Sequence, residues 1–147
     1  MLVSEVPGIL VAMPALKDTY FEKSVILLCS YDAEGAFGLV MNHPSTTQVK
    51  EVLSEELQEN AVFDIPLLVG GPVQPESFWA VHSADFAVEE TTILSPKINL
   101  SSAHDILSPL AAGQAVESYQ FGSGYAGWGA GQLDREIQEE SWWLGPL

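Results

Sequence analysis

The glycine-rich stretch from Gly122 to Leu133 constrains the fold most, because it places five glycines among large aromatic side chains. Its opening matches the G-x-G-x-x-G pattern, which in dinucleotide sites follows one strand, opens a helix and precedes a second strand. Trp128 would put a bulky ring where a pyrophosphate must approach the backbone. The helix pattern that follows, Gln132–Glu140, is acidic, and we expect no second strand after it. We therefore predict no dinucleotide site and interpret the glycines as positions of positive φ or close backbone approach.

Continuous apolar runs predict a sheet that contains an antiparallel hairpin. The runs Ser24–Ser30 and Ala36–Asn42 are separated by Tyr31–Gly35, where Asp and Gly favour a tight turn, and Pro44 is expected to end the hairpin. Further strand patterns cover Gly8–Met13, Pro66–Val69, Phe78–His82, Val88–Leu94 and Glu117–Phe121.

Apolar periodicity predicts about three helices. The first is Thr47–Glu59 and the third is Gln132–Glu140. The second begins at a cap formed by Ser101 or Ser102 and has an apolar face of Ile106, Leu107 and Leu110. Strands and helices follow one another in mixed order, without regular alternation. This order predicts an α+β fold with a mixed or antiparallel sheet, in a single domain over residues 1–147.

The charge balance excludes several classes of partner. The chain of 147 residues has a formal net charge of −15, with five basic against 20 acidic side chains. No basic stripe could neutralise phosphates, so neither direct nucleic-acid binding nor attraction to an anionic membrane is expected. Cys29 is alone, which excludes a disulfide within the chain. The N-terminus lacks a basic signal-peptide region and no apolar run spans a bilayer, which predicts a cytoplasmic protein.

The sequence contains no complete catalytic or metal-binding motif. His43, His82 and His104 lack the spacing of a metal site, so we predict no metal and no cofactor. The loop position of His43 and the strand end at His82 are compatible with catalysis, but a structural role is the commoner one. Cys29 lies in an apolar run and is expected to be a buried, inert thiol. The sequence therefore does not predict an enzyme.

Three segments at predicted strand ends form the candidate ligand or partner surface, since binding sites often form at strand ends. The selected residues are Asn42, His43, Pro44, Gly70, Gly71, Pro72, Gly124, Tyr125, Gly127 and Trp128. Two alternatives stay open. The Gly70–Pro72 turn either presents backbone N–H groups to an anion or lets a neighbouring backbone approach. Tyr125 and Trp128 either line a groove or anchor the core.

Several ordered blocks resemble one protein family across nearly the whole chain. The blocks are Leu10–Leu16 (LVAMPAL) with Asp18, Ser24–Cys29 (SVILLC), Gly35–Asn42 (GAFGLVMN) with Pro44, Gly70–Pro72 (GGP), Gly124–Trp128 (GYAGW), and Gly131–Leu133 (GQL) with Glu136 and Trp142. In that order they resemble the AlgH/YqgE family, a largely bacterial group of uncharacterised proteins. The resemblance implies an α+β domain with a bent, partly barrel-like sheet flanked by helices. It implies no reaction, cofactor or catalytic residues.

The resemblance also implies that family members continue beyond Trp142–Leu144 into a further segment, which we expect this chain to lack. On that expectation, apolar surface at Trp142 and Trp143 would support a homo-oligomer. Our main hypothesis is a binding or regulatory module that acts through a protein partner. The alternative is a small-molecule-binding protein or an enzyme of unknown reaction. The family name suggests a transcriptional regulator, but direct DNA binding is opposed by the charge.

Overall fold

The computed structural model describes residues 7–52 and 61–147, which divide into two compact units. The first unit contains residues 7–43, 70–73 and 125–147 of this described part, and the second contains residues 44–52, 61–69 and 74–124. Ten strands occur in the described residues. They are β1 (Gly8–Ala12), β2 (Val25–Asp32), β3 (Gly35–Val40), β4 (Pro44–Gln48), β5 (Pro66–Val69), β6 (Val73–Ser83), β7 (Thr92–Ile93), β8 (Ile98–Ser102), β9 (Tyr119–Gly129) and β10 (Trp142–Pro146).

Two α-helices and three short 3-10 turns complete the described secondary structure. The helices are α1 (Ala103–Ala111) and α2 (Gln132–Gln138), and the 3-10 turns are Pro14–Leu16, Val49–Val52 and Ala61–Phe63. None of the helices in this part of the chain is long and apolar enough to cross a membrane.

The first unit is an antiparallel sheet in the order β10-β1-β2-β3-β9. The apolar runs of β2 and β3 pair as the predicted hairpin, with a register irregularity between Leu28 and Ser30. Leu10, Ile26 and Leu28 are fully buried, because alternate residues of neighbouring strands point to one face of the sheet. Helix α2 adds Leu133 to the same core. Strand β10 follows this helix and pairs with β1, so the expectation that no strand comes after the helix is wrong.

The second unit builds its own core on a sheet in which β9, β6, β8 and β7 are successive neighbours. Strand β5 pairs in parallel with β9 and antiparallel with β4, so this sheet is mixed. Ala80 of β6, Ile106 of α1 and Phe121 of β9 meet in the core. The Phe121 ring also packs edge-to-face on Phe63.

The α+β fold class and the largely antiparallel pairing are confirmed, whereas the helix count is slightly too high for the described residues. Of the predicted helix Thr47–Glu59, the first two residues end β4 and Val49–Val52 is a 3-10 turn. Residues 53–59 lie outside the described part of the chain. Pro44 begins β4, because a proline at the first residue of a strand removes no essential ladder bond. The single-domain boundary stays a prediction.

Candidate functional site

Asn42, the first predicted site residue, uses its side chain to join two segments of the first unit. Its Oδ1 accepts a hydrogen bond of 2.8 Å from the Val25 N–H, and its Nδ2 donates one of 2.9 Å to the Lys23 carbonyl. Lys23 has a φ of +59°, a left-handed conformation that costs energy for a residue with a Cβ. Although Asn42 is exposed, its amide therefore has a structural partner at each end.

His43 is half-buried and lies beside Ser24, with 3.4 Å between Nε2 and the Ser24 Oγ. That distance is long for a hydrogen bond of this type. Ser24 is fully buried, so an external substrate has no direct access to its hydroxyl. Among the described residues, no third polar side chain forms a hydrogen bond with this pair, so the arrangement does not complete a nucleophilic triad.

The Gly70–Pro72 turn allows two backbone segments to approach each other. Gly70 accepts a hydrogen bond of 2.8 Å from the Val40 N–H at the end of β3. Gly71 has a φ of +155°, and a Cβ at this position would lie 2.1 Å from the Tyr125 carbonyl carbon. The turn therefore lets a neighbouring backbone approach, which is the second of the two interpretations given above. It brings the end of β3 near Tyr125.

Trp128 belongs to the core of the first unit and does not line a groove. It is buried, and its Nε1 donates to Glu136 Oε1 over 3.1 Å. Trp142 donates to the same oxygen over 3.0 Å, while Gln132 Nε2 donates to Glu136 Oε2 over 2.9 Å. The indole rings of Trp128 and Trp142 pack edge-to-face with centroids 5.9 Å apart. The blocks that carry the family resemblance thus include a carboxylate clamped by two tryptophans.

The expectation that Gly124–Trp128 lies at a strand end is wrong, because β9 continues to Gly129. The remaining candidates differ in exposure. Gly124 is buried in the second unit, where its carbonyl accepts a hydrogen bond of 2.7 Å from the Trp79 indole. Tyr125 is half-buried in the first unit and packs on Phe37. The exposed residues in the predicted set are Asn42, Pro44, Pro72 and Gly127.

Strand β10 gives the first unit an exposed aromatic anchor. Trp142 is 2% exposed and Trp143 is 53% exposed, because successive residues of a strand point to opposite faces. A Cβ on Gly145 would lie 2.1 Å from the Trp143 ring, so the absent side chain makes room for the indole. The expectation of apolar surface at both tryptophans therefore holds for Trp143 and is wrong for Trp142.

His82, in the second unit, takes part in a buried polar network. It is 3% exposed, and its Nε2 lies 2.8 Å from the Ser101 Oγ, which lies 2.9 Å from the Thr91 Oγ1. Its Nδ1 lies 2.9 Å from the Ser83 carbonyl oxygen. Ser101 is also buried, so this pair holds β6 and β8 together and does not present a nucleophile.

Two ionisable groups in the first unit have a raised pKa, and burial is the main cause in each case. Cys29 is half-buried, and burial raises the pKa of its thiol to about 12, which leaves little reactive thiolate. Tyr31 donates to the Asp134 carboxylate. Burial and then this bond raise the pKa of the Tyr31 hydroxyl. Over the described residues, no group of three His, Cys, Asp or Glu side chains is placed to hold a metal ion.

A cavity of about 390 Å³ in the second unit was not predicted from the sequence. It lies between the first half of β6 and the start of α1, with Glu76, Phe78 and His104 among its lining residues. These residues belong to no recognisable motif. The only signal available in the sequence was the exposed position of His104 in the first turn of a helix.

Comparison with known proteins places this architecture in a family. The family model described as DUF179: AlgH-like matches residues 9–147. A UPF0301 protein of Methylococcus capsulatus is 36% identical over 140 residues, which cover 93% of this chain and 74% of that protein. A UPF0301 protein of Xanthomonas campestris pv. campestris is 38% identical over 141 residues, with 94% and 75% covered.

Two solved structures resemble the chain. The solution structure of the AlgH protein from Pseudomonas aeruginosa has a TM-score of 0.78 at 31% identity, covering 95% of this chain and 76% of that one. A crystal structure of a Corynebacterium diphtheriae protein shares the fold, with a TM-score of 0.77 at 24% identity over 99% and 77%. The match over nearly all of the described elements means that the chain belongs to the AlgH-like family.

Proposed function

We propose that this protein is a binding module that acts through a protein partner, and that strand β10 with Trp143 forms the centre of the docking surface. The exposed Trp143 indole is the observation that supports the proposal. Tryptophan is enriched among the residues that contribute most binding energy at protein interfaces. Because Gly145 makes room for the ring, little side-chain freedom is lost when a partner covers the other face.

The strand that carries Trp143 is suited to docking in a second way. Among the strands that the structure describes, β10 stands at the end of the strand order and is paired with β1 on one side. Its sequence, Trp142–Pro146, contains none of the charged residues that commonly protect an edge, and the proline that lacks an N–H stands at its last position. An extended partner segment could therefore add to this edge by main-chain hydrogen bonds.

The proposal is tested by comparing Trp143→Ala with Ile93→Ala, a matched control at an exposed residue of β7 in the second unit. Wild-type and variant proteins are immobilised, and proteins retained from native lysate are quantified. We expect one stoichiometric partner to be retained by wild type and by Ile93→Ala and lost with Trp143→Ala. Equal retention by all three proteins would contradict the proposal, provided that circular dichroism shows each to be folded.

Two other functions give different results in related measurements. If the partner is a second copy of this chain, light scattering will show a dimer in wild type that Trp143→Ala converts to a monomer. Direct DNA binding would appear in a gel-shift titration at low salt. We expect none, because a net charge of −15 repels the phosphate backbone.

A further inference from the structure

We propose that the cavity between β6 and α1 in the second unit binds an organic amine, with the apolar body inside and the ammonium group at Glu76. The site shares no residue with the β10 surface and goes beyond the proposed partner-binding function. Its volume of about 390 Å³ lies in the range of small-molecule pockets, roughly 300–1,000 Å³.

The inner wall of the cavity is apolar. Leu67 of β5, Ala103 of α1 and Phe121 of β9 are buried residues that line it. Gly122 adds a stretch of backbone without a side chain. A hydrocarbon or aromatic group placed there would leave water for apolar surface, which is the main source of affinity in such pockets.

Along β6, the side chains change from buried and apolar at the inner wall to exposed and charged at the rim. Alternate residues of a strand share one face, so Ala80, Phe78 and Glu76 follow one another on the same side of β6. Ala80 is fully buried, Phe78 is 39% exposed and Glu76 is exposed. A ligand with an apolar body and one polar end matches this order.

The charge at the rim selects the sign of the polar end. Among the described residues, no ion pair or hydrogen bond is recorded for the Glu76 carboxylate. The sequence of the second unit, residues 44–69 and 74–124, holds eleven acidic residues and two lysines. One of these, Lys50, is paired with Asp64 at 3.0 Å. This field favours a cation, and the neighbouring Phe78 ring can add a cation–π attraction.

His104 at the rim is the group that would favour the opposite charge. It is the second residue of α1, where backbone N–H groups also attract anions. Glu76 repels an anion from the same rim, so the two classes of ligand are separable by experiment.

The first experiment compares three probes that share one apolar body: phenylbutylamine, phenylbutanol and phenylbutyrate. Each is titrated into the whole protein labelled with ¹⁵N, and amide shifts are followed. We expect the amine to bind with a dissociation constant of about 1 mM or below, set by the small number of ligand atoms. It should bind about two- to fivefold tighter than the alcohol, as an exposed ion pair allows, and the acid should bind weakest. Shifts should centre on Phe78, Leu107 and Phe121.

Variants test whether Glu76 and the cavity carry the effect. Glu76→Gln should abolish the difference between amine and alcohol, while Glu89→Gln, a control at another exposed carboxylate of this unit, should preserve it. Leu107→Trp should fill the cavity and weaken all three probes by more than about tenfold, since it removes the apolar space. A dispersed amide spectrum confirms that each variant is folded.

Four results would overturn the proposal: no saturable shifts with any probe, tightest binding of the acid, an unchanged amine preference in Glu76→Gln, or shifts centred away from the cavity. The failure of partner binding is separable from these results. Trp143→Ala should bind the amine as wild type does, because Trp143 lies in the first unit.

Discussion

The two units differ in whether every buried polar side-chain atom of the described residues has a hydrogen-bond partner. In the first unit, the Glu136 carboxylate accepts hydrogen bonds from three donors, and the amide of Asn42 is bonded at both ends. In the second unit, Asn99 Oδ1 is buried and has no hydrogen-bond partner among the described residues. The same unit contains the cavity with Glu76 at its rim.

This contrast indicates that different residues serve the stability of the fold and the binding of a ligand. Polar groups that satisfy one another stabilise a fold and leave little capacity for a ligand, whereas a less completely used set retains that capacity. The glycine- and tryptophan-rich blocks, which are the most recognisable part of the sequence, therefore serve mainly the structure of the first unit. The ligand site that we propose lies among residues without a recognisable pattern.

The largest expected effect is at Glu136. Glu136→Ala leaves the buried indole N–H groups of Trp128 and Trp142 without their acceptor, and each such loss costs about 1–3 kcal/mol. We expect the free energy of unfolding in urea to fall by about 3–5 kcal/mol. Glu139→Ala, at the exposed residue that directly follows α2, should change it by less than about 0.5 kcal/mol. Similar losses in both variants would refute the structural role of the clamp.

Next in size is a pair of glycines on β9, one in each unit. A Cβ at Gly122 would lie 2.2 Å from the Trp79 ring, whereas one at Gly127 would have its nearest neighbour, the Tyr125 ring, at 3.6 Å. Gly122→Ala should therefore lower the free energy of unfolding by about 1–3 kcal/mol through overpacking. Gly127→Ala should be close to neutral. If urea unfolding shows a larger loss of unfolding free energy for Gly127→Ala than for Gly122→Ala, the overpacking explanation is wrong.

A smaller difference is expected between the two serine–histidine pairs. Ser101→Ala removes a 2.8 Å hydrogen bond to buried His82 and a contact with Thr91, which should cost about 1–2 kcal/mol of unfolding free energy. Ser24→Ala removes only the 3.4 Å contact with half-buried His43 and should cost less than about 0.5 kcal/mol. Thermal unfolding of the two variants side by side checks the order, and the reverse order would contradict it.

The smallest effect concerns acid stability of the second unit. The Ser83 hydroxyl and then the Glu117 N–H hold the pKa of Asp85 below its ordinary value of 3.8. A lowered pKa in the folded state stabilises it above pH 3.8, and this contribution is lost as the pH falls through the folded value. Asp85→Asn should therefore flatten stability against pH below about pH 4. An unchanged slope in urea titrations would show that Asp85 contributes nothing.

The sequence predicted β1 to β3 of the first unit best and missed β10, a five-residue run that ends in Gly145 and Pro146. Ser24–Ser30 and Ala36–Asn42 gave a correct hairpin because long apolar runs with an Asp and Gly turn have few alternative folds. Strand β8 was missed because Ile98–Ser102 mixes polar and apolar residues, and its last serine also precedes a helix. Strand β9 extends eight residues beyond the predicted end at Phe121, since glycines lower strand propensity while neighbouring strands still impose the pairing.

The candidate site was less predictable than the fold. Tyr125 was placed at a strand end but lies within β9, and neither its proximity to the Gly70–Pro72 turn nor the use of Asn42 as a backbone clamp was predicted. That role depends on Lys23 and Val25, which lie about twenty residues away in the sequence. The cavity depends on the spacing of β5, β6, β9 and α1, which no local pattern encodes.

The distribution of the four tryptophans means that intrinsic fluorescence can report on strand β10. Three indoles are shielded and donate internal hydrogen bonds, while Trp143 is the one that meets water. A collisional quencher such as acrylamide should therefore extinguish a red-shifted fraction of the fluorescence that is absent from Trp143→Ala. Any molecule that covers strand β10 would protect this fraction, so docking could be followed in the unlabelled protein.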